Sequence, residues 1–139
     1  MKIDGVCHCG RIAYEGEADP NDARICHCTD CQILTGSAFR ANVQVPASSF
    51  KILRGNPKIY IKKTADSGAP RAHAFCPDCG TPIYAAAPEN PKTYSLRLGA
   101  IKQRLQFAPR RQIWCRSALP WAMDLNGIEK SEGQEGTRL

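Results

Sequence analysis

The chain has 139 residues, 42% of them apolar and 23% charged, an ordinary globular mix that argues for one ordered domain and against disorder. Nineteen Lys and Arg against thirteen Asp and Glu give a formal charge of +6. The basic residues are scattered, with Lys62-Lys63 and Arg110-Arg111 as the longest runs, so a nucleic-acid footprint is disfavoured. No stretch has the length and apolarity of a membrane span, and the N-terminus lacks the ~7–15-residue apolar run of a signal peptide. The expectation is a cytoplasmic protein with reduced thiols and no membrane partner.

In chain order, the first strand candidate is 11–17, the return half of an N-terminal hairpin. Thr29 to Leu34 reads as a helical turn, with Thr29 or Asp30 as its cap and Gly36 as its stop. Phe39, Ala41, Val43 and Val45 then alternate with Arg40, Asn42 and Gln44, the period of a half-buried strand. Strands follow at 51–54, 57–63, 71–76 and 81–86. Another comes where Tyr94, Leu96, Leu98 and Ala100 alternate with Ser95, Arg97 and Gly99, and a last one at 111–116. The predicted fold is mainly β, antiparallel, with at most one or two short helical turns. It forms a single domain over 1–128, and residues 129–139, with little to bury, are expected to form a mobile tail.

Four Phe, four Tyr and two Trp against ten Pro and eleven Gly predict a thin core that depends on cross-links. Seven of the eight cysteines fall into three knots: Cys7-His8-Cys9, Cys26-His27-Cys28-Thr29-Asp30-Cys31 and Cys76-Pro77-Asp78-Cys79. The last, followed by Gly80, has knuckle spacing. Two intervening residues let both sulfurs reach one ion, and the glycine permits the turn that aims backbone amides at them. A redox Cys-x-x-Cys would open a helix in a βαβ setting, which is missing, and a Cys-x-Cys pair bridges only with strain. The chemistry indicated is zinc, two ions per chain.

Structural zinc wants four ligands, so Cys7, Cys9, Cys76 and Cys79 are assigned to one ion, tying the hairpin to a strand about seventy residues later. Cys26, Cys28 and Cys31 form the second site. Three protein ligands and an open position suit a reactive zinc. The alternative is a fourth side chain: Cys115, His73, His8 or His27. His8 and His27 are disfavoured because a middle residue of an extended Cys-His-Cys points to the opposite face, and Cys115, in Ile113-Trp114-Cys115, reads as a small buried hydrophobe on a strand. Seven thiolates (−7) on two Zn²⁺ (+4) would reduce the charge from +6 to about +3.

These residues in this order resemble the glutathione-dependent formaldehyde-activating family, whose eukaryotic relatives include centromere protein V. The resemblance is carried by Gly5-Val6-Cys7-His8-Cys9-Gly10, by Cys26-His27-Cys28-Thr29-Asp30-Cys31 with Thr35-Gly36-Ser37, and by Phe75-Cys76-Pro77-Asp78-Cys79-Gly80-Thr81-Pro82. Leu98-Gly99 and Pro120-Trp121 also match, so it spans about residues 5–128. It implies a β-tent domain stapled by one structural zinc, with a three-cysteine zinc near the substrate site. Two positions depart from the pattern: Gln112 stands where a His is common, and Cys115 where cysteine is not usual.

The resemblance implies a carbon–sulfur lyase of the S-(hydroxymethyl)glutathione synthase type. Its partner would be a small-molecule thiol, glutathione or a similar one, and its second substrate a small aldehyde such as formaldehyde. In that reading Cys26, Cys28 and Cys31 are catalytic as ligands of the reactive zinc. The other reading is a zinc-stabilised binding module for protein or nucleic acid. A pocket with basic residues on its rim beside Cys26, Cys28 and Cys31 separates the first from the second, for which a flat surface is expected. The oligomeric state is left open.

Overall fold

The computed structural model describes residues 1–135. Lys2–Val6 (β1) and Ala13–Glu17 (β2) pair antiparallel as the N-terminal hairpin and bury Ile3 and Tyr14. Arg24–Cys26 (β3) leads into the helix Thr29–Thr35 (α1), after which Arg40–Pro46 (β4), Lys51–Arg54 (β5), Lys58–Lys62 (β6), Arg71–Phe75 (β7), Pro82–Ala86 (β8), Thr93–Arg97 (β9) and Arg111–Ile113 (β10) follow. One sheet has the order β1-β2-β5 and the other β10-β3-β4-β9-β8-β7-β6. The architecture is mainly β with one helix and several 3-10 turns, as expected from the alternation. Every strand pairing is antiparallel except that of β10 with β3.

The two sheets meet over Tyr14, Val43, Val45, Ile83, Leu96, Ile101 and Phe107. Phe50 joins them: its ring lies 5.9 Å from that of Tyr14 on β2, 5.5 Å from Tyr84 on β8 and 4.4 Å from Tyr94 on β9. Few large side chains occupy this core, and Cys7 and Cys76 are part of it, at 2% and 0% exposed. These two cysteines sit where a larger domain would place another apolar side chain.

Local chemistry moved several boundaries. The helix is capped by Cys28, whose Sγ accepts from the Cys31 N–H at 3.3 Å, and not by Thr29 or Asp30; Gly36, at φ 63°, ends it as expected. The strand expected over 111–116 stops at Ile113, because Trp114 takes a left-handed conformation (φ 57°) that turns the chain out of the sheet. Cys115 consequently begins an exposed 3-10 turn, which corrects its reading as a buried strand residue. The strand from Tyr94 ends at Arg97, where Leu98–Ala100 forms another 3-10 turn. Residues 129–135 of the expected tail are exposed, and 136–139 lie outside the described residues. Among the described residues, no helix is long and apolar enough to cross a membrane.

Candidate functional site

Cys7, Cys9, Cys76 and Cys79 converge, with all four sulfurs within 4.8 Å of one another. The Cys7–Cys9 and Cys9–Cys76 separations are 3.6 and 3.7 Å. A tetrahedron of sulfurs about 2.3 Å from a zinc ion has edges of about 3.8 Å, so the donor set fits that ion. The cluster is made of two similar knuckles. Gly10 donates to the Cys7 carbonyl at 2.9 Å and Gly80 to the Cys76 carbonyl at 2.8 Å, and both glycines hold the left-handed conformation (φ 83° and 77°) that closes such a turn. The Ile12 N–H points at Cys7 Sγ from 3.2 Å, and the His8 N–H donates to Thr81 Oγ1 across the knuckles at 3.0 Å. Hydrogen bonds from the Thr81 side chain and backbone draw the Cys79 thiol down to about 5.

Cys26, Cys28 and Cys31 form the second cluster, their sulfurs also within 4.8 Å of one another. Cys26 ends β3, held on one side by β4 and on the other by β10, and Cys28 and Cys31 lie one turn apart at the start of α1. Two long-range clamps fix this loop to the C-terminal segment. The His27 N–H donates to the Ile113 carbonyl at 3.0 Å, and Gln32 Nε2 donates to the carbonyls of His27 and Ser117 at 2.9 and 3.0 Å. Gln112 has a part in the same clamp. Its Oε1 accepts from Nε2 of the buried His27 ring at 2.7 Å, leaving His27 Nδ1 buried without a partner. Gln112 thus fixes the ring between Cys26 and Cys28.

The hydrogen bond from Cys26, and then one from Arg40, draws the Cys31 thiol down to about 5 against the opposing effect of burial. Cys26 is pushed up, first by the same contact with Cys31 and then by burial. Of the four candidate fourth ligands, none joins the cluster. His73 Nδ1 accepts from Arg97 at 3.2 Å, His27 engages Gln112, and His8 and Cys115 stand outside both clusters. Replacing Cys115 with Ala is therefore expected to leave metal content unchanged and to shift stability by less than about 0.5 kcal/mol, the usual range for an exposed site. Loss of one metal equivalent in elemental analysis of that variant would place Cys115 among the ligands.

One cavity borders the second cluster, and a larger one has Arg40, the neighbour of Cys31, in its wall. The first, of about 260 Å³, borders Cys28 and Trp114, and its two cations, Lys62 and Arg116, are matched by Asp30 and Asp66 in the same wall. Asp30 is satisfied there by Lys62 at 3.0 Å and by the Thr64 hydroxyl at 2.7 Å. The other, of about 580 Å³, is walled by Arg40, His73, Arg97, Lys58, Tyr60 and Tyr84 among others, with Gly80 of the first cluster's knuckle also on it and no cysteine. Burial, and then the charge of Arg97 with those of Arg40, Lys62 and Arg71, brings His73 down to about 3, so its imidazole is neutral near pH 7. Arginine only donates, so the His73 proton sits on Nε2. The burial of Arg40, Asn42, Ser95 and Arg97 was missed by reading their alternation as a solvent face. The available signal was two arginines at nearby cross-strand positions of paired strands: Asn42 pairs with Arg97, two residues from Arg40.

A mainly β fold with two convergent cysteine clusters, one of four sulfurs and one of three, defines a protein able to hold two metal ions. The family described as glutathione-dependent formaldehyde-activating enzyme matches residues 2–117, and the chain belongs to that family. A crystal structure of a Rhodobacter sphaeroides protein is similar in fold: the TM-score is 0.57 at 24% identity, covering 78% of this chain and 98% of that one.

Proposed function

We propose that this chain is a zinc-dependent carbon–sulfur lyase that adds a thiol, glutathione or a similar one, to a small aldehyde such as formaldehyde. The observation that carries the reading is a cluster of three thiols with no fourth side-chain donor among the described residues, near Arg40 on the wall of a cavity that also presents Arg97 and Lys58. Family membership supports the thiol and the aldehyde. In this reading Cys7, Cys9, Cys76 and Cys79 hold a structural ion, and Cys26, Cys28 and Cys31 the reactive one. A binding module needs no such concave, basic surroundings.

Zinc held by three thiolates has a net charge of −1, so it would supply activation of a coordinated substrate thiol and little Lewis acidity toward the aldehyde. The protein's own side chains orient and shield. Arg40, buried beside Cys31, offsets negative charge on the thiolates, while the clamp of His27, Gln32 and Gln112 keeps the loop in register with β10. In the addition, the substrate sulfur forms a bond to the carbonyl carbon and the carbonyl π pair moves to oxygen. That oxygen then takes a proton from solvent, replacing the one the thiol gave up. His73, neutral at pH 7, is a poor proton donor, and the Nε2 proton of His27 is committed to Gln112.

Substituting Cys28 with Ser tests the proposal. The expected result is loss of one zinc equivalent and of glutathione-dependent formaldehyde consumption, with the circular dichroism spectrum retained because the first cluster is intact. Unfolding of the variant would make the second site structural, and undiminished activity without the second zinc would overturn the catalytic reading.

A further inference from the structure

Arg40 and Arg97 are 4% and 8% exposed, and both wall the 580 Å³ cavity. Neither forms an ion pair with a carboxylate among the described residues. Arg40 Nε and Nη2 and Arg97 Nε are buried without hydrogen-bond partners. The partners that Arg97 does have are neutral: Asn42 Oδ1 at 2.7 Å, His73 Nδ1 at 3.2 Å and the Ser95 carbonyl at 3.5 Å. A buried charge with no counter-charge is costly, and native structures keep one where something else completes it.

The thiolate centre cannot complete both. Three thiolates on Zn²⁺ would leave one negative charge for two buried guanidiniums, so one positive charge stays unmatched. No Asp or Glu lines the cavity, and Lys58 adds a further positive charge. The rest of the wall includes Leu34, Ile59, Phe75, Pro82 and Tyr84, an apolar surface of the size that receives small organic molecules.

We propose that Arg97, assisted by Arg40, is the carboxylate-binding subsite of this cavity, and that its ligand is an organic acid with one carboxylate on an apolar body. The planar guanidinium suits a carboxylate because two N–H groups can meet its two oxygens. The subsite deepens the reading of the thiolate centre, on which it rests for the view that the cavity receives substrate: the acid would carry its thiol toward Cys26, Cys28 and Cys31.

The test uses the zinc-loaded protein and 3-phenylpropionate, which has the carboxylate and the apolar body but no thiol, with 3-phenylpropionamide as its neutral counterpart. Calorimetric titration is expected to show the acid bound at least about tenfold more tightly than the amide, the scale of one charge-assisted contact. Arg97→Met is expected to lose that preference while melting at or above the parent temperature, since it removes an uncompensated buried cation. A purely structural arginine would instead lower the melting temperature and leave the acid-to-amide ratio unchanged, which overturns the proposal. Equal binding of acid and amide by the parent protein overturns it without any variant. Because the probe has no thiol, failure of the subsite leaves formaldehyde consumption untouched. Loss of the catalytic reading through Cys28→Ser likewise leaves phenylpropionate binding intact.

Discussion

Cys76→Ser is expected to abolish the folded state: no cooperative thermal transition, and recovery in the insoluble fraction. Cys76 is fully buried, belongs to the apolar core, and lies 3.7 Å from Cys9 across the cluster. In the reading proposed here that cluster holds zinc, and structural zinc contributes on the order of 10–16 kcal/mol in small domains. A domain of this size has only about 5–15 kcal/mol of net stability, so losing most of the metal term exceeds the margin. Serine also buries a hydroxyl among three remaining sulfurs. Circular dichroism melting with elemental analysis checks the result. Cooperative unfolding within a few degrees of the parent would show that the first cluster does not hold the fold together.

The second large effect is expected at Gly5, opposite Tyr14 in the β1–β2 pair and bridged to Ile101 on its other side. A methyl group there would run into the Tyr14 ring and come within 2.7 Å of the Ala100 carbonyl oxygen. Tyr14 is fully buried and leans on Phe50, so its ring has nowhere to swing without disturbing the aromatic contact between the sheets. Gly5→Ala should therefore cost about 1–3 kcal/mol by overpacking, a fall of about 3–10 °C in Tm. Metal content is expected to stay constant, because Cys7 lies beyond the end of β1. A melting temperature equal to the parent's would mean that the hairpin has room the structure does not show.

The strands most legible in the sequence were those with one apolar face. In β4, Val43 and Val45 go into the core, and in β9 Leu96 does, so a period of two identified both. The thiol clusters were legible for a different reason: cysteine spacing limits which sulfurs can share a site, whatever the chain does in between. Features that depend on distant partners were less visible. The three residues of β3 have no periodicity of their own and form a strand because β4 and β10 hold both edges. Its parallel pairing with β10 joins segments more than eighty residues apart. The cap at Cys28 was unreadable because sulfur is outside the usual oxygen caps, and the exposure of Cys115 turned on one left-handed residue, Trp114. Burial of Arg40 and Arg97 follows from how the sheet is covered, and strand alternation carries no information about that.

The two clusters differ in how their sulfurs are spaced along the chain, and this sets an order for biosynthesis. Cys26, Cys28 and Cys31 emerge from the ribosome almost together, whereas Cys9 waits for Cys76, 67 residues later. At ~5–20 residues per second, several seconds pass in which five thiols are available and the first cluster has only half its ligands. Under the zinc reading, the compact loop would close around an ion at less entropic cost than the first cluster. Its final geometry nevertheless waits for β10 and for the carbonyls of Ile113 and Ser117. The second site, whose ligands are made close together, would therefore be the later of the two to take its finished form.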